Sequence, residues 1–361
     1  MRIEMIVITG APCAGKTSAL DTVKSEIEKL GWKVFTVAET ATELKRAGAA
    51  PWDCDGITFQ KNRLKLQYEK ENAYYRIALS TKAEKALIVC DRGALDTRCY
   101  TTKEQFDEIA AWLGESEVSL RDRYGAVFHL VTAALGARES FVTGEGTVRR
   151  ETPEQAIEFD RRSVAAWCGH PHFRIIRCEE KFEEKTAHLV REIKAFLGEP
   201  EPYETERKFL VSYPDPEILS SYPFCRKIEI EQTYLSGDGE RARRRGENGD
   251  YLYFHTVKRD AGGIRRIEEE RRITKEEYET LLADAEAGRG TVKKDRYCIV
   301  YKDKYFELDV YPIWRDRALL EIELSREDEE FELPDFLDVI REVTPEDEYK
   351  NYNIAKLFDK R

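Results

Sequence analysis

Apolar runs and helical patterns alternate along the first two hundred residues. Runs typical of buried strands cover 3–9, 33–38, 86–91, 126–131 and 174–177, and amphipathic segments lie between them. Strands that alternate with helices predict an α/β domain with a parallel sheet and helices on both faces. The last helix of this domain is predicted over 181–197, because Gly198 follows it and two prolines come directly afterwards.

After Pro202 the hydrophobic pattern has a period of two residues. Strands are predicted over 203–211, 226–235, 251–258, 264–273, 297–301, 305–311 and 319–324, with Gly-rich turns between several of them. Helices are predicted over 274–287, 337–341 and 353–358. This pattern predicts an antiparallel barrel or sandwich. We place the boundary so that the first domain covers 1–199 and the second covers 200–361.

The composition agrees with two folded domains. Hydrophobic side chains make up 41% of the 361 residues and charged side chains 36%, which excludes an intrinsically disordered chain. The net charge of −11 is uneven: residues 1–200 hold 30 Lys and Arg against 31 Asp and Glu, and residues 201–361 hold 29 against 39. An acidic surface argues against a nucleic-acid partner, since phosphate binding needs clustered cations. It suits a protein that gathers divalent metal ions.

The sequence shows no targeting or anchoring signal. The opening MRIEMIVITG lacks a basic segment followed by a long apolar stretch, and no apolar run approaches the ~20 residues of a membrane-spanning helix. The eight cysteines form no CxxC pair. We therefore expect reduced thiols and a cytoplasmic protein, rather than a zinc site or a dithiol site. Protein partners are not indicated by the pattern.

Residues 10–17, GAPCAGKT, match the phosphate-binding motif GxxxxGK[ST] between a predicted strand and a predicted helix. Glycines let successive N–H groups turn inward around phosphate oxygens, and the helix N-terminus adds a positive dipole. Lys16 is expected to reach the β- and γ-phosphates, and Thr17 to ligate Mg²⁺. The nucleotide-binding residues predicted from this loop are Gly10, Cys13, Ala14, Gly15, Lys16, Thr17 and Ser18.

Two acidic residues follow neighbouring predicted strands. Asp91 ends the run LIVCD and is expected to hold Mg²⁺ or to act as base towards an acceptor hydroxyl; capping of the next helix is the alternative. Glu39 is a similar candidate, with a solvated loop carboxylate as the alternative. Arg149 and Arg150 are expected to close as a lid over the transferring phosphoryl group. A solvated charged surface is the alternative for each arginine.

Residues 6–198 resemble AAA-type P-loop domains related to nicotinamide-riboside kinases. The matching blocks are GAPCAGKTS, the Glu39 loop, CDRGALD, and FHLVTAALGA leading to RRETPEQA. The resemblance implies binding of ATP, is compatible with transfer of its γ-phosphate, and leaves the acceptor open. No Asn-Lys-x-Asp motif for reading guanine is present. A Ras-like GTPase is therefore disfavoured, although GTP is not excluded as a ligand.

The second domain carries charged residues at i, i+2 spacing, which places each group on one face of a strand. The groups are Glu204, Glu206 and Lys208; Arg241, Arg243 and Arg245; Lys258; Glu268 and Glu270; Lys294 and Arg296; Glu307 and Asp309; Glu321 and Glu323. The plain alternative is the outer face of an ordinary barrel, with Phe306, Leu308 and Val310 in its core. Most groups carry one sign, and like charges repel unless a ligand or metal offsets them. The pattern therefore favours a compartment for a polyphosphate with divalent cations.

Residues 203–352 resemble the CYTH family, the triphosphate tunnel metalloenzymes. The matching blocks, in family order, are ETERKFLV with its ExExK motif, QTYL, ERARRR, HTVK, EEERRI, KKDRY, YFELDVY, LLEIELS and EYKNY. The resemblance implies an eight-stranded antiparallel β-tunnel lined with charge. Its triphosphate ligands would be Arg241, Arg243, Arg245, Lys258, Lys294, Arg296 and Lys350. The register of the arginine strand stays open, because Arg245 is an extra cation there.

The same resemblance implies a metal site and a reaction. Mg²⁺ or Mn²⁺, hard cations that prefer carboxylate oxygens, would be held by Glu204, Glu206, Glu268, Glu270, Glu307, Asp309, Glu321 and Glu323. Lys208 would position phosphate or the attacking water near Glu206, and the reaction would be hydrolysis of a P–O–P bond.

The sequence leaves three functions open. The first is a two-domain enzyme whose P-loop domain binds ATP and whose tunnel hydrolyses a triphosphate such as inorganic tripolyphosphate. The second replaces hydrolysis by cyclisation of ATP, the reaction of the class IV adenylyl cyclases in the CYTH family. The third is a nucleotide-controlled module that captures a polyanion without turnover. The carboxylates count against this third function, because they would weaken the capture of phosphate.

Overall fold

The structure is a computed structural model that describes residues 1–136, 139, 141, 151–179, 181–199, 205–237, 239–260, 266–326 and 328–359, with the side chains of 258–260 and 266–269 outside the description. The chain divides into two compact units, Met1–Glu199 (unit 1) and Pro200–Arg361 (unit 2). Within the described ranges, no helix is both long enough and apolar enough to cross a membrane.

Unit 1 alternates strands and helices, as predicted. Its strands are β1 (Arg2–Thr9), β2 (Lys33–Val37), β3 (Lys85–Asp91), β4 (Ala126–Leu130) and β5 (Phe173–Ile176). Its helices are α1 (Lys16–Glu28), α2 (Thr40–Arg46), α3 (Gly56–Leu79), α4 (Lys103–Leu113), α5 (Glu117–Arg121), α6 (Ala133–Gly136), α7 (Pro153–Trp167) and α8 (Phe182–Leu197), with a 3₁₀ helix at Ala94–Cys99. The strands pair in parallel in the order β2-β3-β1-β4-β5, which confirms the α/β prediction.

The central strand β1 determines where the loop that follows it lies. Ile6 and Ile8 are fully buried in one apolar cluster with Val23 of α1 and Ile193 of α8, and Val7 is fully buried as well. A strand covered on both faces needs this kind of continuous apolar run. The loop after β1 therefore leaves from the carboxyl edge of the sheet, next to the end of β3, where ligands of such sheets bind.

Unit 2 consists mainly of antiparallel strands. They are β6 (Thr205–Ser212), β7 (Cys225–Tyr234), β8 (Glu240–Glu247), β9 (Asp250–Asp260), β10 (Arg266–Ile273), β11 (Val292–Tyr301), β12 (Lys304–Val310), β13 (Arg317–Leu324) and β14 (Val339–Glu342). The helices are α9 (Pro216–Ser221), α10 (Lys275–Leu281) and α11 (Asn351–Phe358), with 3₁₀ helices at Leu282–Asp284 and Asp347–Tyr349. The strand order is β10-β9-β8-β7-β11-β12-β13-β6-β14.

The antiparallel prediction for unit 2 is confirmed, with differences in detail. The sheet has nine strands rather than eight, and the helix predicted over 337–341 is wrong. That segment forms β14, which pairs with the edge of β6. A helix of five residues is unstable because its first turn is costly to nucleate. Val and Ile favour strands, and pairing with β6 provides hydrogen-bond partners for the backbone of this segment. The predicted helix at 353–358 is confirmed as part of α11. The helix predicted over 274–287 is shorter: it consists of α10 followed by the 3₁₀ helix Leu282–Asp284.

The register of the strands separates two faces of this sheet. Phe306, Leu308, Leu320 and Ile322 point to one face and are buried in a common apolar cluster with Val211. The apolar core that the sequence placed opposite the charged positions is therefore present. Charged residues alternate with these apolar ones and occupy the opposite face, which we call the charged face. Its residues from the sequence prediction are Glu206, Lys208, Arg241, Arg243, Arg245, Lys294, Arg296, Glu307, Asp309, Glu321 and Glu323.

Candidate functional site

The loop between β1 and α1 is shaped at two glycines. Gly10 has φ 133° and Gly15 has φ 84°, values in the left-handed half of conformational space that side chains disfavour. A Cβ on Gly10 would lie 2.2 Å from the carbonyl oxygen of Leu130, and a Cβ on Gly15 would lie 2.4 Å from the ring of Phe182. The spacing of the motif therefore reflects both backbone conformation and close packing.

Carbonyl groups of this loop are bound from outside it by three donors. Thr132 Oγ1 donates to Pro12 O at 2.7 Å, Ala133 N donates to Cys13 O at 3.2 Å, and Lys185 Nζ donates to Ala14 O at 3.0 Å. Because a trans peptide directs its N–H away from its C=O, the N–H groups of Cys13, Ala14 and Gly15 are turned to the other side. That arrangement is an anion-binding nest at the start of a helix.

Lys16 and Thr17 extend this nest towards β3. The buried Lys16 Nζ donates to Gly10 O at 2.8 Å and to Ala11 O at 2.9 Å. Thr17 Oγ1 donates to Asp91 Oδ2 at 2.9 Å, and Ser18 is exposed in the first turn of α1. The structure thus brings together the predicted loop residues and the carboxylate that ends β3.

Asp91 has the properties of a cation ligand. Its Oδ1 atom is buried and has no hydrogen-bond partner among the described residues. Burial raises the pKa of Asp91 above its ordinary value, although the Lys16 ammonium opposes the shift. An unpartnered buried carboxylate oxygen beside a hydroxyl suits a hard divalent cation, so Thr17 and Asp91 fit the predicted Mg²⁺ site.

Glu39 faces the same region and is tied to Arg92. Arg92 adopts φ 72°, donates from Nε to Glu39 Oε1 at 2.7 Å, and has Nη1 3.7 Å from Asp96 Oδ1. Burial would raise the pKa of Glu39, but the charges of Arg92 and Lys16 outweigh it and lower that pKa to about 2. Glu39 is therefore a fixed anion beside the loop, not the solvated carboxylate of the alternative interpretation.

Sequence reasoning missed two buried basic residues of unit 1, one of which binds this loop. Lys185 of α8 is buried and also donates to Val131 O at 2.5 Å. Arg63 of α3 is buried, and its guanidinium donates hydrogen bonds to the side chains of Gln60, Gln67 and Thr97. Both lie in ordinary amphipathic helices, so no linear signal distinguished them from solvated residues. The predicted lid residues Arg149 and Arg150 lie outside the described residues.

Strand register assembles the charged face of unit 2. In the ladders, Arg296 is opposite Asp309, Glu307 is opposite Glu321, Glu321 is opposite Lys208, and Glu323 is opposite Glu206. Directly opposed residues of antiparallel strands lie on the same face with their side chains in contact range. Groups that are more than one hundred residues apart in the chain thus meet on β6, β11, β12 and β13.

Arg296 is the centre of the ion pairs on this face. Its guanidinium binds Asp309 in a bidentate manner, with Nε and Nη2 each 2.7 Å from a carboxylate oxygen, and Nη2 is 3.1 Å from Glu321 Oε2. Nη1 also contacts Glu307. Lys294 Nζ approaches the same Asp309 at 2.5 Å. Burial alone would raise the pKa of Asp309, but the charges of Arg296 and Lys294 outweigh burial and lower this pKa to about 2.

The predicted catalytic pair lies beside this centre. Lys208 Nζ is 2.7 Å from Glu321 Oε1 and 3.2 Å from Glu206 Oε1. Burial and the neighbouring Glu321 raise the pKa of Glu206 to about 7, against the opposing effect of Lys208. Burial also raises the pKa of Glu307, together with the charges of Glu323 and its other acidic neighbours.

The arginine strand β8 presents all three predicted cations on the charged face, opposite Tyr234, Gln232 and Ile230 of β7. Arg245 is buried, and Arg243 Nη2 is 2.5 Å from Glu270 Oε2, which also accepts a hydrogen bond from Thr256. Four further predicted residues are only partly covered by the structure, lie outside it, or lie away from the ion pairs. The backbones of Lys258 and Glu268 are paired but their side chains lie outside the description, as does the whole of Glu204. Lys350 is half exposed and pairs with Asp347 at 2.5 Å, so it lies outside the ion-pair network.

The carboxylates of unit 2 fit a metal ion by their chemistry but not by their arrangement. Within the described ranges, no three His, Cys, Asp or Glu side chains form a group able to hold a metal ion. Asp309, Glu307 and Glu321 are instead bound by Arg296. Carboxylate oxygens are ligands that Mg²⁺ and Mn²⁺ prefer. Of the ligand set expected from sequence, Glu206, Glu307, Asp309 and Glu321 are therefore paired with the protein's own cations.

Comparisons with known proteins find one family model and several solved structures that are similar to this chain. A family model described as an AAA domain matches residues 5–185. Two crystal structures of the protein NE1496, one of which describes it as an inorganic triphosphatase, show 32% and 31% sequence identity to the chain. Each alignment covers 43% of this chain, and covers 98% and 95% of NE1496, with a TM-score of 0.30 in both cases. A search of curated proteins found no match.

Two nucleotide kinases are similar at much lower identity. A thymidylate kinase from Ehrlichia chaffeensis has 10% identity, with 54% of this chain and 100% of the kinase covered and a TM-score of 0.38. A deoxyadenosine kinase from M. mycoides has 12% identity, with 53% and 99% covered and a TM-score of 0.37. Likenesses at this level bear on neither substrate nor mechanism.

Proposed function

Since the chain belongs to the AAA domain family through residues 5–185 and to the family of the inorganic triphosphatase NE1496, we propose that it is an enzyme with two phosphate sites. Unit 2 hydrolyses a triphosphate, for which inorganic tripolyphosphate is the simplest substrate. Unit 1 binds ATP or GTP and transfers or hydrolyses the γ-phosphate. The observation that carries the proposal is the charged face, where cations and carboxylates from several strands meet on one side of a sheet.

The proposed reaction of unit 2 is attack by water on the terminal phosphorus. A bond forms between that phosphorus and the water oxygen, the bridging P–O bond breaks, and tripolyphosphate leaves as pyrophosphate and phosphate. Lys208 would position the terminal phosphate or the water. Glu206, with a pKa of about 7, would accept the water proton, since a base works best with a pKa near the working pH.

The cations around this pair would bind the triphosphate chain. Arg241, Arg243 and Arg245 lie along one strand at i, i+2 spacing, so they form a row of cations on the charged face. Arginine binds phosphate oxygens through two parallel donors. Lys258, Lys294 and Arg296 are proposed as further ligands.

In unit 1 the nest of N–H groups and Lys16 would hold the β- and γ-phosphates. The two carboxylates near the loop, Asp91 and Glu39, are proposed to have different roles. Thr17 donates a hydrogen bond to Asp91, so we assign Asp91 the role of metal ligand. Glu39, held by Arg92, is assigned to the acceptor.

We propose Mg²⁺ or Mn²⁺ as the cofactor. In unit 1, Thr17 and Asp91 would hold the ion, which neutralises phosphate charge when bound. Among the described residues of unit 2, Glu307, Asp309 and Glu321 are paired with Arg296, so no step of the hydrolysis is assigned to the ion.

The test is the release of phosphate from tripolyphosphate and from ATP, with Mg²⁺ and with Mn²⁺, by wild type, Lys16→Met and Lys208→Met. We expect Lys208→Met to lose cleavage of tripolyphosphate and Lys16→Met to retain it. Cleavage that survives both Lys208→Met and Glu206→Gln would overturn the assignment to the charged face. Formation of cyclic AMP from ATP would replace hydrolysis by the cyclase reaction, and binding without any turnover would favour a capture module.

A further inference from the structure

Helix α7 of unit 1 carries a buried carboxylate beside the phosphate-binding loop. Asp160 lies in the middle of this helix and is only 4% exposed. Its Oδ1 accepts a hydrogen bond from the backbone N–H of Thr132 at 3.0 Å. Burial alone would raise the pKa of Asp160, but His129 and the backbone N–H groups of Thr132 and Ala11 outweigh burial and lower it. Asp160 is therefore an ionised group that holds two backbone segments.

Both of these segments shape the loop that follows β1. Ala11 is the second residue of GAPCAGKT, and Thr132 donates its hydroxyl to Pro12 O at 2.7 Å. The first half of the loop is thus held from α7 through Asp160, whereas the second half is held from α8. A backbone anion site depends on the direction of its N–H groups. Contacts that fix the peptide planes of the loop therefore bear on the binding of phosphate.

His129 of β4 fixes the orientation of the Asp160 carboxylate. Its Nε2 is 3.2 Å from Asp160 Oδ2, and its Nδ1 is 3.3 Å from the Oγ of Ser163, which lies one turn further along α7. Nε2 must carry a proton, because two lone pairs would otherwise face each other at this distance. With Oδ2 turned to His129, Oδ1 is turned to Thr132. The ring therefore determines which carboxylate oxygen faces the loop.

The same face of α7 reaches the turn that follows β3. Ser163 Oγ is 3.4 Å from Asp96 Oδ1, and Asp96 Oδ2 accepts a hydrogen bond from Gly93 N at 2.7 Å. A Cβ on Gly93 would lie 2.6 Å from the ring of Trp167, so α7 packs closely against this turn. Because Asp91 comes two residues before Gly93, α7 contacts both the loop and the segment that carries the proposed metal ligand.

Ser163, His129 and Asp160 have the order of the catalytic triad of a hydrolase, but their burial argues against that role. All three side chains are buried, and Ser163 Oγ is 3.2 Å from the buried Thr9 Oγ1. A serine nucleophile has to reach the substrate it attacks. This chain of contacts therefore holds elements in position and does not break a bond.

We propose that Asp160 is a positioning residue for nucleotide binding in unit 1, which holds the first half of the loop in the shape that binds phosphate while His129 keeps its carboxylate oriented. In this role Asp160 acts through Ala11 and Thr132, not by touching the nucleotide. The inference rests on the proposed binding of ATP or GTP by unit 1. It extends that proposal, because it assigns part of the affinity to a helix outside the sequence motif.

The first test compares the binding of ATP and of GTP, with Mg²⁺, to the full chain by isothermal titration. Asp160→Ala should bind nucleotide at least about tenfold more weakly than wild type, because two N–H groups lose a charged acceptor. Asp160→Asn should recover part of this loss, since its amide oxygen can still accept from Thr132. Urea unfolding shows whether each variant is folded.

Asp122→Ala is the matched control for this test. Asp122 is also buried and forms an ion pair, with Arg121 at 2.7 Å. It lies just before β4, and the amino end of a parallel strand is at the opposite edge of the sheet from the loop. Asp122→Ala should therefore lose stability as Asp160→Ala does and keep the nucleotide affinity of wild type.

The second test measures the orientation of the carboxylate through His129. Nitrogen-15 NMR of the histidine rings reports which ring nitrogen carries the proton, and His129→Gln identifies the signals. We expect a protonated Nε2 in wild type. In Asp160→Asn the amide oxygen faces the loop only if the amide nitrogen faces Nε2, so the proton should move to Nδ1. A residue that only fills space in the core would not change this signal.

The outcomes separate this inference from the proposed function. If Asp160→Ala is folded and binds nucleotide as tightly as Asp122→Ala, the positioning role is wrong and nucleotide binding stands. If Asp160→Ala does not fold, Asp160→Asn decides: wild-type affinity with the proton still on Nε2 would overturn the role, because the amide oxygen would then face His129 and not the loop. If wild type binds neither ATP nor GTP, the proposed function of unit 1 is wrong, and this inference is wrong with it.

Discussion

The two candidate sites offer different kinds of donor group to a phosphate. In unit 1 the donors are peptide N–H groups of one short loop, oriented because Thr132, Ala133 and Lys185 bind the carbonyls on its outer side. In unit 2 they are side-chain cations from several strands, oriented by carboxylates such as Asp309. A backbone site is therefore sensitive to any added Cβ atom, whereas a side-chain site is sensitive to its balance of charge.

The largest expected effect tests the charge balance of unit 2. Asp309→Ala leaves Arg296 and Lys294 without their shared buried partner and should lower the free energy of unfolding by about 3–5 kcal/mol. Urea unfolding of the full chain measures the loss. Asp316→Ala removes an exposed carboxylate paired with Arg317 and should leave the stability essentially unchanged. A mild effect of Asp309→Ala would show that the face does not depend on this ion pair.

The next effect tests the backbone site. Gly10→Ala puts a Cβ 2.2 Å from Leu130 O and should weaken nucleotide binding by about 2–3 kcal/mol, roughly a hundredfold, with tripolyphosphate cleavage unchanged. Isothermal titration with ATP and with GTP measures it. Gly114→Ala is the matched control, because Gly114 also has positive φ but has open space around its Cβ position. If both variants bind nucleotide normally, the loop is not the site.

A smaller effect concerns the outer support of the loop. Lys185→Met removes the donor to Ala14 O and Val131 O and should cost about 1–2 kcal/mol of nucleotide affinity, approximately tenfold. Lys194→Met lies on the same helix and removes the ion pair to Glu26, so its affinity should stay near that of the wild type. Equal affinities of the two variants would assign Lys185 to packing alone.

The smallest effect is a pH dependence in unit 2. The pKa of Glu206 in the folded chain, about 7, exceeds its ordinary value of 4.5. The folded state therefore binds more protons between these values, and the stability gained from protonated Glu206 is lost as pH rises from 4.5 through 7. The unfolding free energy of wild type relative to Glu206→Gln should decline over that window. A difference that stays flat over this window would mean that folded Glu206 is already ionised there, as Glu39 of unit 1 is expected to be.

The sequence predicted unit 1 with few errors, because its signals are local. The strands of the parallel sheet, the helix that follows the loop and the position of Asp91 all follow from contiguous patterns. What it missed is a residue such as Lys185, which binds the loop from helix α8. A buried lysine and an exposed one have the same helical spacing, and only packing distinguishes them.

In unit 2 the sequence predicted the antiparallel sheet and the face on which the described charged residues of the prediction lie. The short strand β14 was mistaken for a helix, because a few residues carry no period that separates the two. Lys350 pairs with Asp347 in its own segment, and its assignment to the phosphate ligands stays a prediction. Local pattern tells which face a side chain occupies, and it does not tell which partner it meets there.

The sequence by itself determined the order of the elements, the phosphate-binding loop, and the alternation that puts charge on one face of a sheet. These properties depend on neighbouring residues in the chain, through the backbone periods of strand and helix. Only the tertiary structure decided that Arg296 is bound by three carboxylates and that Lys185 supports the loop. Those contacts join residues far apart in sequence, and they depend on strand register and helix packing, which bring opposite charges within a few ångströms where water no longer screens them.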